Sequence, residues 1–320
     1  MQIKRIAAVF AMGVAGLWAP AWAADEPVGA AVCVECHDDL PDMSKSAHAV
    51  ATDKRTPDCI SCHGASLAHA KKEKGKKQGP PDRIFKGENI SPPAERSAAC
   101  LACHKGTPKL ALWSGSQHPT TEVACNACHR IHVNTDAVLS KATQPEVCYA
   151  CHKAQRVQTN RPSRHPIQEA KMACSDCHNP HGSTGPKLVK KDNINDTCYL
   201  CHAEKRGPFV HPHQPVTDNC ATCHNPHGST VPAMLVARPP LLCQQCHTPH
   251  VAGGVGAVGG QPGVFPPAAP GQVNPAVTGT SSGKNVVNIW QGRSCSNCHT
   301  QVHGSNNPSA TNPTPQKMFR

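Results

Sequence analysis

One pentapeptide, Cys-x-x-Cys-His, constrains this chain more than any other feature, because its ten copies contain all 20 cysteines. A zinc ribbon pairs two Cys-x-x-Cys units without needing the histidine, and a disulfide framework has no use for it. The cysteines of the ten motifs, numbered here as sites 1 to 10 in chain order, are Cys33 and Cys36, Cys59 and Cys62, Cys100 and Cys103, Cys125 and Cys128, Cys148 and Cys151, Cys174 and Cys177, Cys198 and Cys201, Cys220 and Cys223, Cys243 and Cys246, and Cys295 and Cys298. The histidines that complete them are His37, His63, His104, His129, His152, His178, His202, His224, His247 and His299.

The chemistry of haem attachment explains this spacing. Two thiols separated by two residues can add to the two vinyl groups of one haem, and the adjacent histidine then lies under the iron as its proximal ligand. The sequence therefore predicts ten covalently bound haem c groups. These groups would also replace a conventional core, since the 320 residues include 31 Pro and 24 Gly but only 3% Phe, Trp and Tyr. The predicted fold class is a multihaem cytochrome c, mostly irregular with short α-helices and a haem-packed core.

The histidines outside the motifs are candidates for the second axial ligands. Ten irons need ten distal ligands, and eleven further histidines are available. The chain beyond residue 23 has only four methionines, too few for His/Met ligation of many haems. The count predicts bis-His ligation throughout and low reduction potentials, because methionine is the ligand that raises the potential. The predicted distal ligands are His48, His69, His118, His132, His165, His181, His213, His227, His250 and His303, with His211 left over.

Several of these distal candidates lie immediately after a motif. His132, for example, follows His129 by three residues. A residue so close in sequence is held on the proximal side of its own porphyrin and cannot readily reach the opposite face of the same iron. We therefore expect such residues to ligate a neighbouring haem, which would tie adjacent haems into a wire.

One distal ligand has two candidates. His213 precedes Cys220 by seven residues, which repeats the step from His118 to Cys125. His211 is instead followed by proline, as His118 is. The repeated step favours His213, and the sequence alone leaves both candidates open.

The amino-terminal residues predict export. Lys4 and Arg5 precede an apolar run over residues 6–17 and a small-residue exit ending at Ala23, a pattern typical of a secretory signal over residues 1–23. The apolar run is shorter than the ~20 residues that a membrane-spanning helix needs. We therefore expect a periplasmic protein. Its formal charge of +11 does not indicate nucleic-acid binding, because haem propionates would offset it and no basic recognition helix is predicted.

The motifs recur with a period of about 25 residues, interrupted by two insertions. We interpret this period as five two-haem modules in a linear array. The first insertion carries a lysine-rich stretch at 71–77 that is expected to be a solvated loop. The second, at 251–292, is rich in Gly and Pro and is expected to be a long flexible connection before the last haem.

The secretory signal, the ten motifs, the repeated CHNPHG and the ending CSNCHTQVHGSNNPSA carry a resemblance to a known family. The chain resembles the periplasmic decahaem cytochromes of the MtrA, MtoA, PioA and DmsE type over nearly the whole mature sequence. The resemblance implies an elongated array of ten bis-His haems in two pentahaem halves, placed here at 24–160 and 161–320. It also implies insertion into an outer-membrane β-barrel porin and electron exchange between the periplasm and the cell exterior, for metal reduction or Fe(II) oxidation. The implied redox partners are a periplasmic or inner-membrane cytochrome and, as an optional addition, an extracellular multihaem cytochrome.

Three functions compete for this pattern. The leading hypothesis is a non-catalytic electron conduit associated with the outer membrane. A multihaem reductase would need at least one open coordination position, and eleven spare histidines for ten irons argue against it. A freely diffusing periplasmic electron shuttle to a terminal reductase shares every motif and differs only in lacking a barrel partner. The motifs set neither the direction of electron flow nor the terminal donor or acceptor.

Overall fold

The computed structural model describes residues 30–37, 46–49, 56–71, 78–247, 295–297 and 299–306. The predicted signal, most of the lysine-rich stretch, the 251–292 insertion, His250 and Cys298 lie outside the described residues. Within the ranges given, short helices are joined by irregular segments and by one two-stranded sheet. No helix in this part of the protein is both long and apolar enough to cross a membrane.

The helices are brief because proline, glycine or a new motif interrupts each one. The α-helices are α1 (Ala30–Val34), α2 (Cys59–His63), α3 (Leu67–Ala70), α4 (Pro93–His104), α5 (Gln117–Thr120), α6 (Gln144–Tyr149), α7 (Lys153–Thr159), α8 (Cys174–Cys177), α9 (Ile194–Cys198), α10 (Gln214–Asp218) and α11 (Leu241–Gln244). The 3₁₀ helices are Pro108–Leu110, Trp113–Gly115, Cys125–Ala127, Ala137–Leu139, Pro186–Leu188, Ala203–Lys205, Cys220–Thr222, Pro232–Met234 and Cys295–Asn297.

Helix α4, with 12 residues, shows what allows a longer element here. Pro93 occupies its first turn, where a missing N–H group costs no hydrogen bond. Glu95 lies in the same turn, where its charge complements the helix dipole. Alanines fill much of the remainder. The helix ends at His104, so its last five residues are the pentapeptide of site 3.

The sheet joins two segments that are distant in sequence. Strand β1 (His211–Pro212) pairs antiparallel with β2 (Gly304–Ser305), and His211 lies opposite Ser305. Val210 extends the contact by donating its backbone N–H to the Asn306 side chain over 2.9 Å. The chain after the last motif is thereby fastened to the segment between sites 7 and 8.

The sequence Cys-His-Asn-Pro-His-Gly folds into the same loop at sites 6 and 8. At site 6, the Asn179 carbonyl accepts the N–H of Gly182 over 3.0 Å, and its side-chain oxygen accepts the N–H of His181 over 3.3 Å. Gly182 has a φ of +125°, and a Cβ added there would meet the Leu112 carbonyl oxygen at 2.6 Å. The corresponding Gly228 has a φ of +131°. Each loop therefore requires its glycine for both conformation and space.

Side chains alone make little of a core. The buried apolar residues in the described part of the chain are Trp113, Ala124, Tyr149, Ala173 and Val231. The interior instead contains a continuous cavity of 4460 Å³, lined by cysteines or histidines of sites 2 to 10. That volume is several times the space a single drug-sized ligand occupies. The short helices and irregular connections confirm the expectation of a mostly irregular chain with short α-helices.

Candidate haem-binding sites

Each pentapeptide closes one helical turn. In eight of the sites the N–H of the motif histidine donates to the carbonyl of the first cysteine, over 2.8 to 3.1 Å. His63 and His104 of the other two sites lie within α2 and α4. Residues separated by three or four positions share one face of a helix. The turn therefore presents both cysteines and the histidine to the same side, as attachment to one haem requires.

In the described part of the chain, the motif cysteines form no disulfide bonds with one another. Within the described ranges, no three or more His, Cys, Asp or Glu side chains converge as a protein-only metal centre would need. A hydrogen bond to Cys125, together with burial, raises the pKa of the Cys100 thiol. Burial likewise raises the pKa of Cys128 and Cys177. Half-buried and exposed thiols on short turns around a large apolar cavity fit thioether attachment of haem.

Thiols from consecutive sites lie beside one another in an alternating pattern. The first cysteine of each odd-numbered site is within hydrogen-bonding reach of the first cysteine of the next site; these pairs are Cys33 with Cys59, Cys100 with Cys125, Cys148 with Cys174, Cys198 with Cys220, and Cys243 with Cys295. The second cysteines lie close enough across the intervening gaps for one to raise the pKa of the other; these pairs are Cys62 with Cys103, Cys128 with Cys151, Cys177 with Cys201, and Cys223 with Cys246. Within the described ranges, each site therefore lies next to the sites that precede and follow it in the chain.

The histidines form pairs with nearly constant spacing. Each pair joins a motif histidine to one from outside the motifs, with ring centres 6.0 to 6.3 Å apart. In the described residues the nine pairs are His37 with His69, His63 with His132, His104 with His48, His129 with His181, His152 with His118, His178 with His227, His202 with His165, His224 with His303, and His247 with His213.

This spacing fits an iron atom between the two rings. A metal–imidazole bond is about 2 Å long and a ring centre lies roughly 1 Å from its nitrogen, so two rings on opposite sides of one metal are roughly 6 Å apart. The planes of the paired rings range from 12° to 85° apart, so direct ring stacking does not explain the constant distance. The residues present therefore fit bis-His ligation of haem.

The pairing links different sites in a regular order. His132 follows site 4 in sequence but faces His63 of site 2. His181 follows site 6 but faces His129 of site 4. The same two-site step connects the histidines that follow sites 8 and 10 to sites 6 and 8. Each even-numbered site from 4 to 10 therefore offers a ring to the even-numbered site before it.

Hydrogen bonds from Nδ1 orient many of these rings. Backbone carbonyls accept from His63, His69, His118, His165, His178, His213 and His224 over 2.7 to 3.2 Å. At His129 the acceptor is instead the carboxylate of Asp136, at 2.7 Å. An imidazole that donates from Nδ1 keeps Nε2 free for a metal, the usual arrangement around metal-bound histidine.

Burial keeps several rings neutral. It lowers the pKa of His48, His63, His178, His181, His227 and His303, because removal from water disfavours the charged imidazolium. Neutral imidazole is the form that binds a metal.

The structure places the two competing histidines differently. The His213 ring faces His247 at 6.0 Å, and its Nδ1 donates to the Val302 carbonyl over 2.8 Å. His211 lies in β1, and its Nε2 is buried without a hydrogen-bond partner. The geometry supports His213 as the ligand. His299 is described, whereas the predicted distal ligand His250 lies outside the described residues.

Sequence reasoning missed the groups that hold the rings in place. Backbone carbonyls carry no residue-specific signal, so no pattern could have revealed them. Asp136 is different, because it is an acidic side chain seven positions after a motif histidine. This seven-residue spacing from the motif histidine to an acidic residue does not recur at the other motifs. Only the folded loop brings the Asp136 carboxylate to Nδ1 of His129.

Repeated attachment motifs that bind haem c covalently define the class of this protein as a multihaem c-type cytochrome. The doubled CXXCH motif family matches residues 118–157, 165–207 and 213–252. Each matched repeat begins at a histidine that faces the second motif of the same repeat, namely His118, His165 and His213.

The chain is 42% identical over 294 residues to the multiheme cytochrome MtrA of Shewanella baltica, covering 88% of this chain and 80% of that protein. The chain belongs to the MtrA family of multihaem cytochromes, and as such is an electron-transfer protein and not an enzyme. It is also 28% identical over 121 residues to the cytochrome c-type protein NrfB of Haemophilus influenzae, covering 34% of this chain and 52% of that protein. A high-molecular-weight cytochrome c of Nitratidesulfovibrio vulgaris is 23% identical over 169 residues, 52% of this chain and 28% of that protein.

Proposed function

We propose that this chain holds ten haem c groups with bis-His ligation in one linear array, and that it conducts electrons across the outer membrane inside a β-barrel porin. The ten haems would be attached at sites 1 to 10, and His250 would complete the tenth ligand pair with His299. When bound, each haem iron would take up and release one electron at a time. The chain's own contribution is to orient the ligands and to hold consecutive sites next to one another.

The histidine pairing is the observation that carries this proposal. Nine of the motif histidines each face a second ring at a distance that fits one intervening iron. Two protein ligands per iron leave no coordination position for a substrate, which favours an electron carrier over a reductase. The two-site step of the histidine pairs and the proximity of thiols from consecutive sites support a single order of the sites, as a wire needs.

Haem stoichiometry and ligation can be tested together. Denaturing mass spectrometry should give a mass ten haems above that of the chain lacking residues 1–23. The electronic spectrum of the oxidised protein should contain low-spin iron with no high-spin band. Fewer than ten haems would remove a site from the array, and a high-spin fraction in the native protein would favour a reductase.

The membrane part of the proposal rests on the family resemblance and on the length that ten consecutive sites provide. Export by the 1–23 signal would bring the protein to the periplasm, and a surrounding porin would shield its polar groups from lipid. A periplasmic or inner-membrane cytochrome would exchange electrons at one end of the array. An extracellular acceptor, donor or further multihaem cytochrome would do so at the other.

Liposomes provide the decisive experiment. The cytochrome and its barrel, reconstituted together, should connect an enclosed redox dye to an external oxidant or reductant. The matched control is a Cys198→Ser, Cys201→Ser variant, which lacks attachment at site 7 and should interrupt transfer while still entering the barrel. If the cytochrome never co-isolates with a barrel, and cells without the barrel gene retain full extracellular electron exchange, a periplasmic shuttle replaces the conduit.

A further inference from the structure

The acceptor at His129 differs from those at sites 2, 6 and 8. At sites 2, 6 and 8 the motif histidine donates from Nδ1 to a backbone carbonyl, belonging to Arg83, Lys187 and Ala233 respectively. At site 4 the acceptor is the side-chain carboxylate of Asp136, with a donor–acceptor distance of 2.7 Å. The fold thus gives one site a charged partner where three others have a neutral one.

The Asp136 carboxylate is held firmly in this position. Its second oxygen accepts the backbone N–H of Arg130 over 3.3 Å and that of Val138 over 3.4 Å. The latter contact caps the 3₁₀ helix Ala137–Leu139. The Asp136 side chain is 12% exposed, so solvent screens its charge only weakly.

A carboxylate partner changes the donor strength of a ligating imidazole in one known direction. A carboxylate that accepts a hydrogen bond from a ligating imidazole increases the basicity of that ligand. A stronger donor with a nearby negative charge favours ferric over ferrous iron, because reduction removes a positive charge from the metal centre. A neutral carbonyl has the same effect to a smaller degree.

We infer that Asp136 acts through His129 as a positioning residue that selectively lowers the reduction potential of the haem at site 4. This inference rests on the proposed ligation of iron by His129. The couple is a one-electron change at the iron, and the shared proton stays between Nδ1 and the carboxylate in both oxidation states. Among sites 2, 4, 6 and 8, this interaction would give the haem at site 4 the lowest reduction potential. The array would then contain a step in potential at site 4.

The Asp136→Asn variant tests the inference, with Asp192→Asn as the matched control. Asp192 lies outside the attachment motifs, and its carboxylate accepts from the Thr184 hydroxyl instead of from a histidine. Potentiometric titration followed by visible absorbance should show about one-tenth of the haem signal moving to higher potential in Asp136→Asn. The control should show no such selective movement. An unchanged titration, or the same displacement in both variants, would overturn the inference.

Haem content separates this inference from the proposed function. Ten covalent haems and a wholly low-spin spectrum in Asp136→Asn would leave the ligation proposal intact whatever the titration shows. Loss of low-spin iron already in the wild-type protein would instead count against ligation itself.

Two additional measurements test the inference even if the Asp136→Asn variant does not accumulate. The Asp136→Glu variant keeps the charge and should restore the low-potential tenth of the signal. Near-infrared magnetic circular dichroism of the oxidised wild-type protein reports the donor strength of axial ligands. It should contain a displaced component with about one-tenth of the total intensity. Absence of that component, with no restoration by Asp136→Glu, would contradict the role of Asp136.

Discussion

The Nδ1 atom of His118 donates a 2.7 Å hydrogen bond to the carbonyl of Pro180, the residue that precedes His181. His118 faces site 5, whereas His181 faces site 4. The bond therefore connects the proposed distal ligands of two consecutive sites. It recurs between His165 and the carbonyl of Pro226, and between His213 and the carbonyl of Val302. In each case the accepting residue directly precedes a histidine that faces the neighbouring site. A change in one of these loops should consequently alter the histidine environment at two sites.

Replacing His213 by alanine should convert one haem in ten to high spin. The reason is that the His213 ring faces His247 at the spacing of an iron ligand. The electronic spectrum and electron paramagnetic resonance of the oxidised protein would measure the conversion. His211→Ala is the control and should leave the iron low-spin. The reverse result would assign the ligand to His211.

Replacing Gly182 by alanine should destabilise the protein by roughly 2–4 kcal/mol and lower the thermal midpoint of unfolding. Alanine at a φ of +125° is strained, and its Cβ would meet the Leu112 carbonyl at 2.6 Å. Because the Pro180 carbonyl lies in this loop, the ligand environments of sites 4 and 5 should change together. Gly115→Ala, where a Cβ meets nothing within 4 Å, should have little effect. Equal midpoints for the two variants would contradict this account of the loop.

Electron paramagnetic resonance of the oxidised protein should contain two classes of low-spin haem. When the two axial rings are parallel they donate to the same iron orbital and split the d levels. Perpendicular rings leave those levels nearly degenerate and give a larger principal g value. The near-parallel pairs, 12° to 29° apart, are at sites 1, 4, 6, 8 and 9. The near-perpendicular pairs, 75° to 85° apart, are at sites 2, 3 and 5, and the pair at site 7 is intermediate at 46°. A spectrum with a single class would contradict these ring orientations.

The chain produced without haem attachment should not fold cooperatively. Its buried apolar residues in the described segments number only five, too few to offset the entropy of ordering this length of chain. Expression with and without the cytochrome c maturation machinery provides the comparison. Calorimetry should show a cooperative unfolding transition only for the haem-loaded protein. A matching transition in the haem-free chain would mean that the polypeptide builds its own core.

The attachment sites could be read from the sequence because their chemistry is local. Five consecutive residues close one turn, and that turn places two thiols and a histidine on the same side. The supply of distal ligands was also countable, and the expectation of cross-ligation followed from the short spacing between His129 and His132.

Which motif histidine each proposed distal ligand faces was decided only by the tertiary structure. Nothing in the sequence places His132 opposite His63, or His48 opposite His104, because these pairs depend on the path of the chain between sites. The carboxylate at His129 was equally hidden, since an acidic residue in a loop acquires that role only when the loop folds back on its own motif. Covalent attachment depends on residues that are neighbours in sequence. The pairing of a histidine from one site with the motif histidine of another depends on segments that folding brings together.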